Sequence, residues 1–225
     1  MSGEANLKKE KDQAPVWRLN SWFPDLGAET HDQLKKFFLE LLKFNKTINL
    51  ISAKTEPVAD AIHFSDSILS SRIVYKNINN SKGLYDIGSG NGFPGLVYSI
   101  LYPDQKIILL DSDERKCEFL KHVARVLVLN NVTVKNIKIE HMGPNSIEQA
   151  ICRGFAPLPR ALLMLRKIIK IEGSIFHLKS EEWAIEVSQI PIQLCSLWRP
   201  SLVGDYCLPV GDKIKMCIVR TEKIS

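Results

Sequence analysis

An α/β fold with a doubly wound, mostly parallel sheet behind an N-terminal helical extension is what this sequence predicts, and three observations predict it. From residue 84 onward, short apolar runs alternate with amphipathic stretches, the pattern of strands linked by crossover helices. A glycine-rich decapeptide, Asp86 to Gly95, follows the first of those runs. Before residue 84 there is no strand signal, only helical spacing of apolar residues.

In chain order, residues 1–29 read as a flexible leader whose end docks through Trp17, Trp22 and Phe23. Thr30-His31-Asp32-Gln33 has the spacing of a capping box. Leu34, Phe37, Phe38, Leu41 and Leu42 then recur at i, i+3, i+4, i+7 and i+8, one face of a helix. Thr55-Glu56-Pro57 starts a second helix that runs to about Val74, with proline where its missing N–H does no harm. Strands are expected at 84–87, 106–110, 132–134, 150–153 and 173–178, with later ones at 190–197 and 213–219. Helices fall at 95–101, 114–129 and 157–169. The chain thus divides into a leader (1–29), a helical extension (30–80) and an α/β domain (81–225).

The 225 residues carry 30 Lys or Arg against 25 Asp or Glu, a net charge of +5, and 45% are hydrophobic. That is ordinary globular composition, and it excludes disordered, collagen and coiled-coil classes. No apolar run is long enough to cross a bilayer, so no membrane association is expected. The charge is uneven: residues 1–30 carry −1, 31–85 carry +3, 86–150 carry −1 and 151–225 carry +4. Basic blocks flanking a near-neutral middle suit either a solvated surface or a polyanion-binding face. Five cysteines without a CxxC pair point to a reduced, cytoplasmic protein with no zinc site.

The sharpest local signal is Asp86-Ile87-Gly88-Ser89-Gly90-Asn91-Gly92-Phe93-Pro94-Gly95, with GxGxxG at Gly90, Gly92 and Gly95. Glycines there permit positive φ and close approach of a ligand to the backbone. The next strand ends in Asp111, at the distance where a carboxylate accepts hydrogen bonds from a ribose. Both features suit NAD as well as S-adenosylmethionine. Asp86 favours the second: a fixed carboxylate beside the turn would repel a pyrophosphate and hold an ammonium group.

Four segments carry a family resemblance: Asn49-Leu50-Ile51-Ser52, His63-Phe64-Ser65-Asp66-Ser67, Asp86 through Gly95, and Leu109-Leu110-Asp111-Ser112. Cys152-Arg153-Gly154-Phe155-Ala156 and Leu178-Lys179 extend it. In order and spacing the chain resembles the glucose-inhibited division protein B family, RsmG, the bacterial 16S rRNA (guanine-N7) methyltransferases. Where that family usually has Arg before the His of its His-x-x-Asp-Ser motif, this chain has Ile62. The resemblance implies a class I S-adenosylmethionine-dependent methyltransferase domain. It places cofactor contacts at Gly88, Phe93, Ile139, Glu140 and Arg153 and puts Asp111 at the ribose; the reading of the turn itself adds Asp86 and Gly90. It implies 16S rRNA or the small ribosomal subunit as partner, and the chain is expected to be a monomer.

Guanine N7 carries a lone pair and no proton, so its methylation needs positioning rather than a general base. Arg153 is a candidate to orient guanine through O6. His63 and Asp66 share a helix face at i, i+3; a mutual hydrogen bond and a substrate contact are both open. Lys179 faces either RNA phosphate or solvent. Besides this reading, a methyltransferase of another substrate class and a non-catalytic ribosome-binding module that keeps the fold remain as alternatives.

Overall fold

The computed structural model describes residues 15–210 and 214–225. Seven strands form one sheet in the order β3-β2-β1-β4-β5-β7-β6. They are β1 (Leu84–Ile87), β2 (Ile107–Asp111), β3 (Val132–Asn136), β4 (Ile147–Arg153), β5 (Ile169–Ser180), β6 (Trp198–Cys207) and β7 (Lys215–Lys223). The first five pair in parallel, and β7 and β6 add an antiparallel hairpin beyond β5. Connections run outward from β1 in one direction and from β4 in the other, so a topological switch point lies between them.

The central strands are apolar on both faces, as a sheet covered by helices on both sides requires. Leu84, Ile107 and Leu109 join one buried cluster, while Ile87 and Leu110 join the other. The first cluster is covered by α1 (Leu19–Trp22), α2 (Ala28–Asn45), a π-helical turn at Asp60–Ser65 leading into α3 (Asp66–Tyr75), α4 (Gly95–Leu101) and α5 (Glu114–Val126). The second is covered by α6 (Leu158–Leu165) and α8 (Ile192–Cys195), with α7 (Trp183–Ser188) lying between them in sequence. The expected stripe of α2 holds: Leu34, Phe37, Phe38 and Leu41 are buried, and Phe37 and Phe38 pack against Phe64 and Phe93 rather than facing solvent.

Three sequence expectations are corrected. The capping box at Thr30 is not formed, because α2 begins at Ala28 with Gly27 as its N-cap. His31 anchors that extra turn by bonding its Nε2 to the Phe23 carbonyl at 3.0 Å, and Gln33 reaches the Leu127 carbonyl at 3.3 Å instead. The strand expected over 190–197 is the short helix α8: Pro191 precedes it, and Leu194 and Leu197 face the core three positions apart while Ile192 is 81% exposed. The apolar spacing there is helical, and β6 starts only at Trp198. The helix expected over 157–169 is shorter, since β5 starts at Ile169. The last expected strand appears as β7, with Lys213 outside the described residues.

Of the leader, residues 1–14 lie outside the described residues. The rest docks on the helical layer. Trp17 lies 4.9 Å from Phe38 and 5.1 Å from Phe64, and Phe23 is buried. Arg18 makes a two-point ion pair with buried Asp60, at 2.9 and 2.7 Å. That pair closes α1 over the π-helical turn.

Candidate active site

At the carboxyl ends of β1 to β4 lies a cleft of about 410 Å³, the place where an open α/β sheet binds ligands and a volume suited to a small molecule. Ile87, Gly88, Asp111, Ser112, Ile139, Glu140, Phe155 and Met164 line it, with Lys138 as its one basic group. Each strand contributes its last residue or the turn just after it. Gly88 and Gly90 have φ of +73° and +50°, the left-handed region that glycine enters without strain. A Cβ on Gly88 would come within 3.1 Å of the Phe155 ring, so glycine is also what lets that ring close against the turn.

Asp111 orders the rim. Its Oδ2 accepts the Gly90 N–H at 2.7 Å and its Oδ1 accepts the Asp113 N–H at 2.9 Å. Each oxygen keeps a lone pair for a hydroxyl ligand. Asp111 and Glu140 on the wall disfavour a pyrophosphate, while Ile87, Ile139, Phe155 and Met164 supply apolar surface for a flat base. These residues fit S-adenosylmethionine, a ribose-bearing ligand without phosphate.

Asp86 takes a different place from the one its position in sequence suggests. Side chains alternate along β1, which turns Asp86 with Leu84 toward α4 and away from the cleft. Asp86 is fully buried, its Oδ2 accepts the Gly95 N–H at 3.0 Å, and its Oδ1 has no partner among the described residues. Burial pushes its carboxyl up to about 7. It staples the glycine turn onto α4, and the repulsion of phosphate passes to Asp111 and Glu140. The Phe93 ring is likewise buried, stacked on His63 at 5.3 Å and edge-on to Phe64 at 4.9 Å, so only its backbone is available to a ligand.

A second constellation stands at the end of β4. Arg153 Nη1 donates to Asp66 Oδ2 at 2.9 Å and to the Ile62 carbonyl at 3.4 Å, while Nη2 donates to His63 Nδ1 at 2.7 Å. Burial, reinforced by the Arg153 charge, lowers the His63 pKa to about 3 and keeps the ring neutral. Its Nδ1 therefore accepts, and its Nε2–H donates to Thr55 Oγ1 at 3.2 Å. The other oxygen of Asp66 accepts from the Tyr206 hydroxyl at 2.6 Å. The mutual His63–Asp66 bond weighed from the sequence is replaced by a shared bond to Arg153. A π-helical turn, a device frequent at functional sites, carries His63 into it.

Lys179 is mostly buried and ion-paired. Its ammonium donates to Glu186 at 2.8 Å and to the Ala156 carbonyl at 3.1 Å, and its side chain is 14% exposed. Gly88, Asp111, Ile139 and Glu140 thus meet at the cleft, Arg153, His63 and Asp66 meet beside it, and Asp86, Phe93 and Lys179 support from behind. Sequence reasoning passed over Tyr206, Thr55 and Glu186. Phe155 lay inside a quoted segment, and its place just after the strand at the switch point was the signal available. No group of three or more His, Cys, Asp or Glu placed to hold a metal ion occurs among the described residues, and no described helix is long and apolar enough to cross a membrane.

Comparisons with known proteins identify the chain's relatives. A protein of Bdellovibrio bacteriovorus named ribosomal RNA small subunit methyltransferase G 3 is 50% identical over 222 residues, covering 97% of this chain and 100% of the relative. The ribosomal RNA small subunit methyltransferase G of Paracoccus denitrificans is 34% identical over 150 residues, covering 66% of this chain and 76% of the relative. Among solved structures, P. horikoshii TYW2 in complex with MeSAdo is similar in fold, with a TM-score of 0.53 and 11% identity over 72% of this chain and 62% of that one. The GidB family model, described as rRNA small subunit methyltransferase G, matches residues 30–198. The chain belongs to that family.

Proposed function

We infer that this chain methylates N7 of a guanine in 16S ribosomal RNA, with S-adenosylmethionine as methyl donor. The observation that carries the reading is the acid-rimmed cleft at the carboxyl ends of β1 to β4, in a chain of the rRNA small subunit methyltransferase G family. Bound there, S-adenosylmethionine supplies a methyl group already activated on sulfonium sulfur. Asp111 binds the ribose hydroxyls, and the apolar wall of Ile139, Phe155 and Met164 takes the adenine and keeps water out. No proton has to be removed from N7, so the work of the chain is alignment of the two reactants.

Arg153 is assigned to the base. Three of its five N–H groups go to Ile62, Asp66 and His63, leaving Nε–H and one Nη2–H for guanine O6 with N7 bare. Residues 30–80 serve as an extension that carries His63 and Asp66 to this point, and residues 81–225 as the methyltransferase domain. The enzyme acts as a monomer in the cytoplasm.

Labelled methyl transfer to deproteinised 16S rRNA and to assembled small subunits, followed by mapping of the modified base, tests the reading. A single N7-methylguanine is expected. Methylation of another nucleotide or another class of substrate would replace the guanine assignment. Cofactor binding with no transfer to either RNA form would point to a non-catalytic ribosome-binding module.

A further inference from the structure

The Phe155 wall of the cleft hangs on a short segment with an anchor at each end. At its start Arg153 is held by Asp66 and His63. Gly154 follows in the left-handed region, at φ +64° with open space around it, and so imposes no direction of its own. At the far end Glu186 Oε2 accepts the Leu158 N–H at 2.6 Å and the Lys179 ammonium at 2.8 Å, and that ammonium also donates to the Ala156 carbonyl at 3.1 Å. Pro157, between the two clamped peptides, offers no N–H of its own. The only side chain between the anchors that reaches the cleft is Phe155, whose ring lies against Gly88.

We propose that Lys179 and Glu186 are positioning residues for the cofactor: together they hold the 156–158 backbone and thereby press the Phe155 ring against the cleft. The proposal rests on the reading of that cleft as the S-adenosylmethionine site. Both ends of the pair sit on elements that do not line the cleft. Lys179 lies at the end of β5 and Glu186 on α7, in the connection that leads to the antiparallel hairpin. Two of the three ammonium N–H groups of Lys179 are committed to Glu186 and the Ala156 carbonyl, and its side chain is 14% exposed. On this proposal its charge serves the shape of the small-molecule site, through the two bonds it makes to the clamp.

Calorimetry with S-adenosylhomocysteine on the full chain, paired with RNA binding at several salt concentrations, decides this. Glu186→Gln keeps the side-chain volume and Lys179→Met removes the ammonium; each is expected to weaken S-adenosylhomocysteine about tenfold, the size of one lost charge-assisted hydrogen bond. Lys179→Arg should restore most of the affinity, and the double variant should be no weaker than either single one, because the two residues act as one clamp. RNA affinity and its salt slope should stay at the wild-type value. A shallower salt slope in Lys179→Met with unchanged S-adenosylhomocysteine binding would make Lys179 a phosphate ligand and overturn the proposal. So would a drop in melting temperature without a change in cofactor affinity. If Lys179→Met does not fold, Glu186→Gln decides alone. Failure of the wild-type chain to bind S-adenosylhomocysteine would instead overturn the cleft reading and the clamp with it.

Discussion

The glycine turn and the Arg153 hub stand at the ends of adjacent strands, β1 and β4, and are built in opposite ways. The turn is local: Asp86, Gly88, Gly90 and Gly95 lie within ten residues, and its hydrogen bonds close on itself and on Asp111. The hub draws on three distant stretches: Arg153 is 87 positions from Asp66 and 90 from His63, and Tyr206 is 140 from Asp66. A local device survives as long as its own backbone conformation is allowed. A distributed one depends on every element that delivers a partner, and it leaves a charge exposed to low dielectric when one partner is lost.

The contrast can be broken most severely at the hub. Arg153→Met leaves the Asp66 carboxylate, which is 3% exposed, with Tyr206 as its remaining side-chain donor, at an expected cost of about 3–5 kcal/mol in urea unfolding. A loss below about 1 kcal/mol would mean that water reaches Asp66 and that the hub is not a buried unit.

The turn has its own buried charge, and its effect depends on pH. The Asp86 pKa is raised to about 7 in the folded chain from 3.8, so the folded state holds a proton that the unfolded state has released. The associated stability is fully present below about pH 4, falls as pH rises, and is gone above about pH 7. Over much of the same window the neutral rings of His63 and His177, both lowered to about 3, act in the opposite sense and favour the folded state as pH rises. The quantity to measure is therefore wild type minus Asp86→Asn, which should decline by a few kcal/mol between those limits. A flat difference would show that Asp86 is charged in the folded chain throughout.

Smaller effects sharpen the comparison. A Cβ at Gly95 would collide with Asp86 Oδ2 and Leu109 Cδ2, so Gly95→Ala should cost about 2 kcal/mol through overpacking and should also weaken cofactor binding. Normal stability there would mean the turn is looser than its hydrogen bonds imply. Tyr206→Phe keeps the ring and removes one donor to Asp66; about 1.5 kcal/mol is expected, with little change in cofactor affinity. An effect as large as that of Arg153→Met would make Tyr206 a principal support of the hub.

The two regions also differ in how legible they were. Strand ends and glycine spacing predicted where the turn would be, and Asp111 followed from its distance down the chain. The outward direction expected of Asp86 did not hold, because one step of alternation along β1 decides which face a side chain takes. His63 and Asp66 were read as partners because they share a helix face, yet the guanidinium of Arg153 is the stronger partner for each and no spacing rule reaches from residue 66 to residue 153. Lys179 looked free because its acceptor, Glu186, sits on α7, which carried no signal of its own. Tyr206 had none either: it lies beyond residues 30–198, where the family model matches.

By itself the sequence determined the alternation of strands and helices from residue 84, the site of the turn, the carboxylate that closes β2 and the family. These depend on φ preferences and side-chain periodicity over a few residues, and such forces act before the chain has folded. Only the tertiary structure decided that Asp86 turns inward, that Arg153 gathers Asp66, His63 and Tyr206, and that Lys179 clamps the Phe155 segment. The first depends on which face of β1 the helical layer covers, and the other two on the order of β5, β7 and β6 and on the packing of the π-helical turn against the sheet. A polar group that loses water takes whichever partner that packing brings within reach, however far away it lies along the chain.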